Sequence, residues 1–325
     1  MTNRPAVTPA LLEEYCKRFR NWDRWGKDDE IGTLNFITPA VVKRAAGLVR
    51  QGKIISCALN FDTSGPQTGA FGRVNPLHSM VATGTDHVAG RQKLAGFDTL
   101  PYGWGFADDQ ITMFLQCGTQ WDGLGHIFHN GKMYGGRDAA LVSSNGAAKN
   151  GIEHYKDRIA SRGVLLDMAR FKGVDAMRPG EAIYVEDLEA CAAKQRVTVE
   201  SGDIVLIRTG DVGRRVREKS WGTFSAGDAP GLSFHTAPWL YGKSIAGIAT
   251  DTWGAEVRPN ELPNSFQPLH LVMVVNMGLL VGEIFDLEAL GADCAADGVY
   301  EFMFVAPPLP ITRAVGSPIN PQAIK

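Results

Sequence analysis

The sequence lacks the features that would place it in several large classes of protein. Its five cysteines are an odd number and no two form a C-x-x-C pair, so neither a disulfide framework nor a thiolate zinc site is indicated. A formal net charge of -2 gives no long-range field that would recruit nucleic acid or an anionic membrane. No apolar run approaches the roughly 20 residues of a membrane helix. We therefore expect neither nucleic-acid nor membrane binding.

Several catalytic motifs are also missing. The chain has no Gly-x-Ser-x-Gly elbow, no Walker loop and no Gly-x-Gly-x-x-Gly between a strand and a helix. Serine hydrolases, nucleotide hydrolases and Rossmann dehydrogenases each need one of these elements. The first 20 residues lack the apolar core of a signal peptide, which together with the scattered cysteines leads us to expect a cytoplasmic protein.

Short apolar runs alternate with helical patterns along the chain, which predicts an α/β protein. Strands are expected at 52–59, 111–115, 162–167 and 203–209, and helices at 39–51, from 185, at 236–241 and at 270–277. No repeat or linker divides the chain, and its length and 44% hydrophobic content allow one large core. The Gly- and Pro-rich stretch 63–76 is a long loop that could cover a site or reach a neighbouring subunit.

The most informative stretch is 115–126, which spaces two carboxamides, a carboxylate and an imidazole evenly. In an extended strand, Gln116, Gln120, Asp122 and His126 would share one face. Burying such a polar set without partners or a metal would be costly, so the row indicates the wall of a polar site.

This spacing resembles the signature of the metal-dependent hydrolases called the cyclase family, which includes bacterial kynurenine formamidase and isatin hydrolase. The family motif reads His-x-Gly-Thr-His-x-Asp-x-Pro-x-His. The matching positions here are Gly118, Thr119, Asp122 and His126, whereas Gln116 and Gln120 replace the two leading histidines and Leu124 replaces the proline. The runs 230–233, 239–240 and 245–252 also look like the family's, and His270 and Glu283 match its late His and Glu.

The resemblance implies the swivelling β/β/α fold of this family. We expect one catalytic domain over residues 1–325 with an N-terminal extension of about 50 residues, associated as a homodimer or homotetramer. It implies a divalent metal held by Asp122, His270 and Glu283, with Gln116 and Gln120 as weaker oxygen ligands or as hydrogen-bond partners of the metal-bound water. Because amides replace imidazoles, ligand softness favours Mn²⁺ over Zn²⁺, although either ion remains a candidate.

The expected activity is hydrolysis of a small cyclic amide or lactone, or of an aryl amide or ester, by metal-activated water. His126 corresponds to the family's third motif histidine and would shuttle protons. Trp25, Trp121, His78 and Phe128 are candidate substrate contacts, with Trp253 as a further aromatic candidate.

Other functions remain open from the residues alone. A metal-dependent lyase, cyclase or dehydratase could use the same acid and base groups, and a metal-free ligand-binding protein on a degenerate enzyme fold would also explain the glutamines. Cys117 is a conceivable nucleophile, but strand alternation turns it away from Asp122 and His126.

Overall fold

The computed structural model describes residues 4–94, 96 and 100–325, which form a mixed α/β structure around one large sheet. The strands are β1 (Ile54–Ser56), β2 (Leu77–Ala82), β3 (Asp108–Thr112), β4 (Gln120–Asp122), β5 (Lys132–Met133), β6 (Arg137–Asp138), β7 (Val142–Ser143), β8 (Gly146–Ala147), β9 (Ala160–Asp167), β10 (Ala182–Ile183), β11 (Ile204–Arg208), β12 (Gly231–Leu232), β13 (Gly247–Thr250), β14 (Leu280–Glu283), β15 (Glu301–Val305), β16 (Gly316–Pro318) and β17 (Gln322–Ile324).

The helices of the described residues are mostly short. They are α1 (Pro9–Arg18), α2 (Pro39–Ala46), α3 (Gly84–Val88), α4 (Met168–Phe171), α5 (Val185–Gln195), α6 (Asp211–Glu218), α7 (Ala237–Gly242), α8 (Pro268–His270) and α9 (Glu288–Asp297). A π-helical segment, Leu271–Met277, continues directly from α8. None of the described helices is both long and apolar enough to cross a membrane.

Nine strands of the described chain form the large sheet, in the order β1-β17-β15-β9-β11-β13-β14-β4-β16. The four central strands β9, β11, β13 and β14 are parallel, and the strands outside them pair antiparallel. Strand β11 reads Ile-Val-Leu-Ile-Arg and all its residues are buried. Continuous β-branched and aliphatic runs of this kind suit parallel strands that are covered on both faces. Helices α2 and α5 pack on β9, so this part of the sheet is the centre of the core.

Most of the expected elements are confirmed, and their ends differ by a few residues. The helix predicted at 39–51 begins at Pro39, where Thr38 caps it by accepting a hydrogen bond from the amide of Val41, but it ends at Ala46. The strands expected near 162 and 203 and the helices expected near 185, 236 and 270 are present as β9, β11, α5, α7 and the α8–π segment.

The strand predicted at 111–115 is wrong. Strand β3 ends at Thr112 and pairs with β2 in a separate two-stranded ribbon, whose residues are exposed except for the half-buried Ala82. The chain then turns before it enters the large sheet at Gln120. The row 115–126 is therefore extended only over β4, and turns rather than strand alternation place Gln116 and His126.

Candidate metal centre

The register of strand β4 brings the motif against the strand that carries Glu283. β4 lies between β14 and β16, and Gln120 is directly opposite Glu283 in the antiparallel β4–β14 pair. Residues opposite each other in such a pair project from the same face, and Asp122 shares that face with Gln120 because it lies two residues on. The sheet alone therefore places Gln120, Asp122 and Glu283 side by side.

His270 completes a buried group of possible metal ligands. It is the last residue of α8, and the π-helical segment after it leads through Gly278 into β14. Asp122, His270 and Glu283 each offer one atom that could bind a metal, and these three atoms lie within 4.8 Å of one another. The three residues are at most 5% exposed. The motif segment with Asp122 and the late segment with His270 and Glu283 therefore meet in one place.

Glu256 holds the imidazole of His270 from the opposite side. His270 Nδ1 lies 2.7 Å from Glu256 Oε1, and Glu256 also accepts hydrogen bonds from the backbone amides of Leu269 and His270, both at 3.0 Å. His270 Nε2 faces Glu283 Oε1 at 3.1 Å. A carboxylate on one ring nitrogen fixes the tautomer and leaves the other nitrogen for a metal, as in carboxylate–histidine–metal triads.

The pKa of His270 reflects these two carboxylates. Burial by itself lowers this pKa, but the hydrogen bonds and charges of Glu256 and Glu283 outweigh burial and raise the pKa to about 10. Without a cation in the site, His270 is therefore an imidazolium that bridges two glutamates. Its Nε2 proton has to leave before this nitrogen can bind a metal.

The side-chain amide of Gln120 donates hydrogen bonds to two carboxylates of the group. Its amide nitrogen donates to Asp122 Oδ1 at 3.3 Å and to Glu283 Oε2 at 3.2 Å. Its Oε1 is buried and has no hydrogen-bond partner among the described residues. The amide thereby offsets part of the repulsion between the two carboxylates, whereas the predicted roles of Gln120 as an oxygen ligand or as a hydrogen-bond partner of bound water stay predictions.

His126 lies beside the three clustered residues. Its Nε2 is 4.0 Å from Asp122 Oδ1, and its side chain is 21% exposed. Burial is the largest influence on its pKa and lowers it, although the charge of Asp122 acts in the opposite direction. Burial also raises the pKa of Asp122 to about 6, where the charge of His126 lowers it and that of Glu283 raises it. The lowered pKa of His126 favours its neutral imidazole, which is able to accept a proton.

A cavity of about 210 Å³ opens onto this group. Its polar wall contains Asp122, His126 and Glu283. The rest of its lining comes from other parts of the chain: Phe71, Arg73, Ile127, Trp253, Phe266 and Gln267. Burial is again the largest influence on the pKa values of Asp122 and His126, and the positive charge of Arg73 lowers both.

Two of the other predicted site residues lie apart from this cavity lining. Gln116 is buried with its amide nitrogen against Gly316 of β16, and this nitrogen has no hydrogen-bond partner among the described residues; its role as a ligand stays a prediction. Trp121 is fully buried in the core, where its indole donates to the carbonyl of Ala306 at 2.8 Å. Its role as a substrate contact is therefore corrected: alternation along β4 turns it away from Gln120 and Asp122.

Three further substrate candidates also lie outside the cavity lining. Trp25 packs edge-on against Phe36, with ring centroids 5.2 Å apart. His78 lies on the exposed ribbon, 2.8 Å from Asp109. Phe128 is 41% exposed, and only its neighbour Ile127 reaches the cavity. Trp253, the further aromatic candidate, does line the cavity.

The glycines of the motif make room for protein rather than for a ligand. A Cβ at Gly118 would lie 2.8 Å from the ring of Phe61, and one at Gly123 would lie 2.9 Å from the carbonyl of Val315. Burial raises the pKa of Cys117 to about 11, which keeps its thiol protonated and disfavours the cysteine nucleophile.

Sequence reasoning missed Glu256, Phe71, Arg73 and Phe266. Glu256 lies after β13 in an irregular segment, so no periodic pattern connects it to His270. Phe71 and Arg73 belong to the loop 63–76, whose length was the one available signal that it contributes to a site.

Comparisons with known proteins agree with this geometry. A family model described as "Putative cyclase" matches residues 30–257. A crystal structure described as a novel cyclase is 39% identical, covers 95% of this chain and 99% of its own, and superposes with a TM-score of 0.85. The chain belongs to the cyclase family.

Two solved structures with lower sequence identity share the fold. Isatin hydrolase A from Labrenzia aggregata is 16% identical with a TM-score of 0.58, and the match covers 87% of this chain and 96% of that one. The Ralstonia solanacearum enzyme is also 16% identical with a TM-score of 0.58, over 88% and 98% of the two chains. The expected swivelling β/β/α fold is confirmed. No curated protein sequence gave a significant match.

Proposed function

We propose that this cyclase-family protein is a metal-dependent hydrolase that opens a small cyclic amide or lactone, or cleaves an aryl amide or ester. Membership of the family supports a hydrolase-type activity. The observation that carries the proposal is the convergence of Asp122, His270 and Glu283, two of which, Asp122 and Glu283, line a cavity.

The donor set fits a divalent ion. Two carboxylate oxygens and one imidazole nitrogen are ligands that Mn²⁺ and Zn²⁺ both accept, and an oxygen-rich set favours Mn²⁺. Glu256 orients His270 as an outer carboxylate does in metal sites. The buried, unpartnered Oε1 of Gln120 is a further oxygen close to the group. When bound, such an ion lowers the pKa of water and polarises the carbonyl under attack.

The protein's own groups would then manage the protons. Burial lowers the pKa of His126 and favours its neutral imidazole, so its Nε2 would accept a proton from the attacking water and return it to the leaving nitrogen or oxygen. Gln120 would keep Asp122 and Glu283 in place by donating to both. Trp253 and the neighbouring rings would exclude bulk water from one side of the substrate.

One observation favours a second candidate, a metal-free binding protein. The Gln120 amide and a protonated His270 both bridge carboxylates, so the chain can hold Asp122 and Glu283 together without an ion. A lyase or dehydratase would use the same groups as the hydrolase. Incorporation of oxygen from labelled water into the product separates hydrolysis from elimination.

Metal content after purification without chelator or nickel tests the proposal. We expect about one Mn or Zn per chain by elemental mass spectrometry, lost in both Asp122→Ala and His270→Ala. His78→Ala is the matched control, because His78 also contacts a carboxylate but lies on the exposed ribbon. Wild-type protein that stays free of metal after reconstitution with either ion would support the metal-free candidate instead.

A further inference from the structure

The cavity combines an aromatic wall with one cation. Phe71 stacks on Trp253 with ring centroids 5.9 Å apart and planes 11° apart, and Phe266 meets Phe71 edge-on at 5.5 Å. Phe71 and Phe266 are exposed at the mouth, whereas Trp253 is only 4% exposed. A hole of about 150 Å³ already accommodates benzene, so about 210 Å³ suits one planar ring with a substituent.

Arg73 is the cationic member of the lining. Its guanidinium carbon lies 5.8 Å from the ring centroid of Trp253 and 5.9 Å from that of Phe71. Within the described part of the chain, no carboxylate forms an ion pair with it. The other charged arginines of the core differ in this respect, since Arg162 and Arg208 each pair with two or more carboxylates.

A guanidinium that shares a cavity wall with aromatic rings, and has its hydrogen-bonding fork free, is suited to bind a carboxylate next to a planar group. Asp122 and Glu283 line the same cavity and repel an anion, so a ligand carboxylate is favoured at Arg73. The anionic end of a ligand is thereby directed to Arg73, and its other end to the candidate metal centre and His126.

We propose that the substrate of this site is an aromatic acid, a planar ring carrying a carboxylate, and that Arg73 is the residue that selects it. The inference rests on the proposed function only in assigning the substrate class of the same site. Arg73 acts in binding, and His126 remains the group that handles protons.

Binding of benzoate and of its neutral analogue benzamide tests this selection without catalysis. Calorimetry on the full chain, with and without Mn²⁺, should show benzoate bound about tenfold or more tightly than benzamide, because a charge-assisted bidentate contact is added. In Arg73→Gln the preference for benzoate over benzamide should vanish, while the affinity for benzamide stays unchanged. Arg73→Lys should keep part of the benzoate preference. Arg24→Gln, which removes an arginine stacked on rings outside the cavity, should keep the full preference.

Three outcomes would overturn the inference. A benzoate preference that survives in Arg73→Gln would place the carboxylate elsewhere, and a preference present only with Mn²⁺ would assign it to the ion. Failure of wild type to bind benzoate at millimolar concentration would exclude an aromatic-acid site. If no metal binds but the Arg73-dependent preference persists, the hydrolase proposal fails and the ligand class stands.

Discussion

Replacing Glu256 by Gln should weaken metal binding without removing any ligand. Glu256 is 2% exposed. Its Oε1 accepts a hydrogen bond from the backbone amide of His270 and lies 2.7 Å from Nδ1 of the same residue. Glutamine can keep one oxygen on His270 Nδ1, but it loses the negative charge that raises the basicity of the ring and so makes Nε2 a stronger metal ligand. In the wild type, Glu256 Oε2 accepts a hydrogen bond from the backbone amide of Leu269. The NH₂ group of the glutamine would face this amide instead and could not accept from it.

The size of the effect follows from this outer contact. Loss of an outer-shell partner lowers metal affinity by about 10- to 100-fold, which corresponds to about 1.4–2.8 kcal/mol. The unpaired amide of Leu269 adds about 1–3 kcal/mol of destabilisation to the fold. Mn²⁺ affinity is measured by competition with a chelating dye, and thermal unfolding of the same samples reports the second effect.

Glu261→Gln provides the control for this substitution. Glu261 also accepts a backbone hydrogen bond, from Phe234 at 2.6 Å, together with the hydroxyl of Ser233, but it does not touch His270. Its variant should lose stability and keep Mn²⁺ affinity. A folded Glu256→Gln protein whose Mn²⁺ affinity stayed within about threefold of that of the wild type would contradict this reasoning, because the loss of an outer-shell partner lowers affinity by more than that. His270 would then not be a ligand oriented by Glu256.

Three further perturbations have defined outcomes. Mn²⁺ affinity should rise as the pH is increased through about 6 and on toward 10, because Asp122 and then His270 Nε2 must lose a proton to bind the ion; in the dye assay Asp122→Asn should bind more weakly and keep only the part of the rise that His270 causes, and a flat wild-type profile would contradict both roles. Asp251→Ala should lower the free energy of unfolding by at least about 2 kcal/mol, since the amides of Thr209 and of the next residue both lose their acceptor. A urea midpoint equal to wild type would refute that role. Val81 is 66% exposed on the two-stranded ribbon, where it could contact another subunit of the expected homodimer or homotetramer. Val81→Lys should therefore shift the protein toward smaller species in sedimentation velocity. An unchanged sedimentation profile would exclude the ribbon from the interface.

Period-two alternation explains what the sequence could predict about the site. It places Gln120 and Asp122 on one face of β4, and it also places Trp121 on the other face, in the core. The substrate role expected for Trp121 conflicted with this rule, and the rule was right. The buried central strands were predictable for a similar reason, since their aliphatic runs have no polar face.

Contacts between distant segments were beyond what a pattern can predict. Glu256 reaches His270 from an irregular segment, and Arg73 reaches the cavity from a long loop. Residues 111–115 looked like a strand because Ile, Thr and Phe have high strand propensity. Propensity does not indicate whether a strand joins the main sheet, and β3 pairs with β2 outside it instead.

The π-helical segment between His270 and β14 makes this stretch tolerant of a change in chain length. A turn closed by i→i+5 hydrogen bonds holds more residues than an α-helical turn, so Leu271–Met277 accommodates an extra residue without moving either end. Deleting one residue there would let the segment wind as an ordinary α-helix, while the strand after Gly278 keeps its pairing with β4. Relatives of this protein can therefore differ by one residue in the spacing of histidine and glutamate and still present both side chains to the same point.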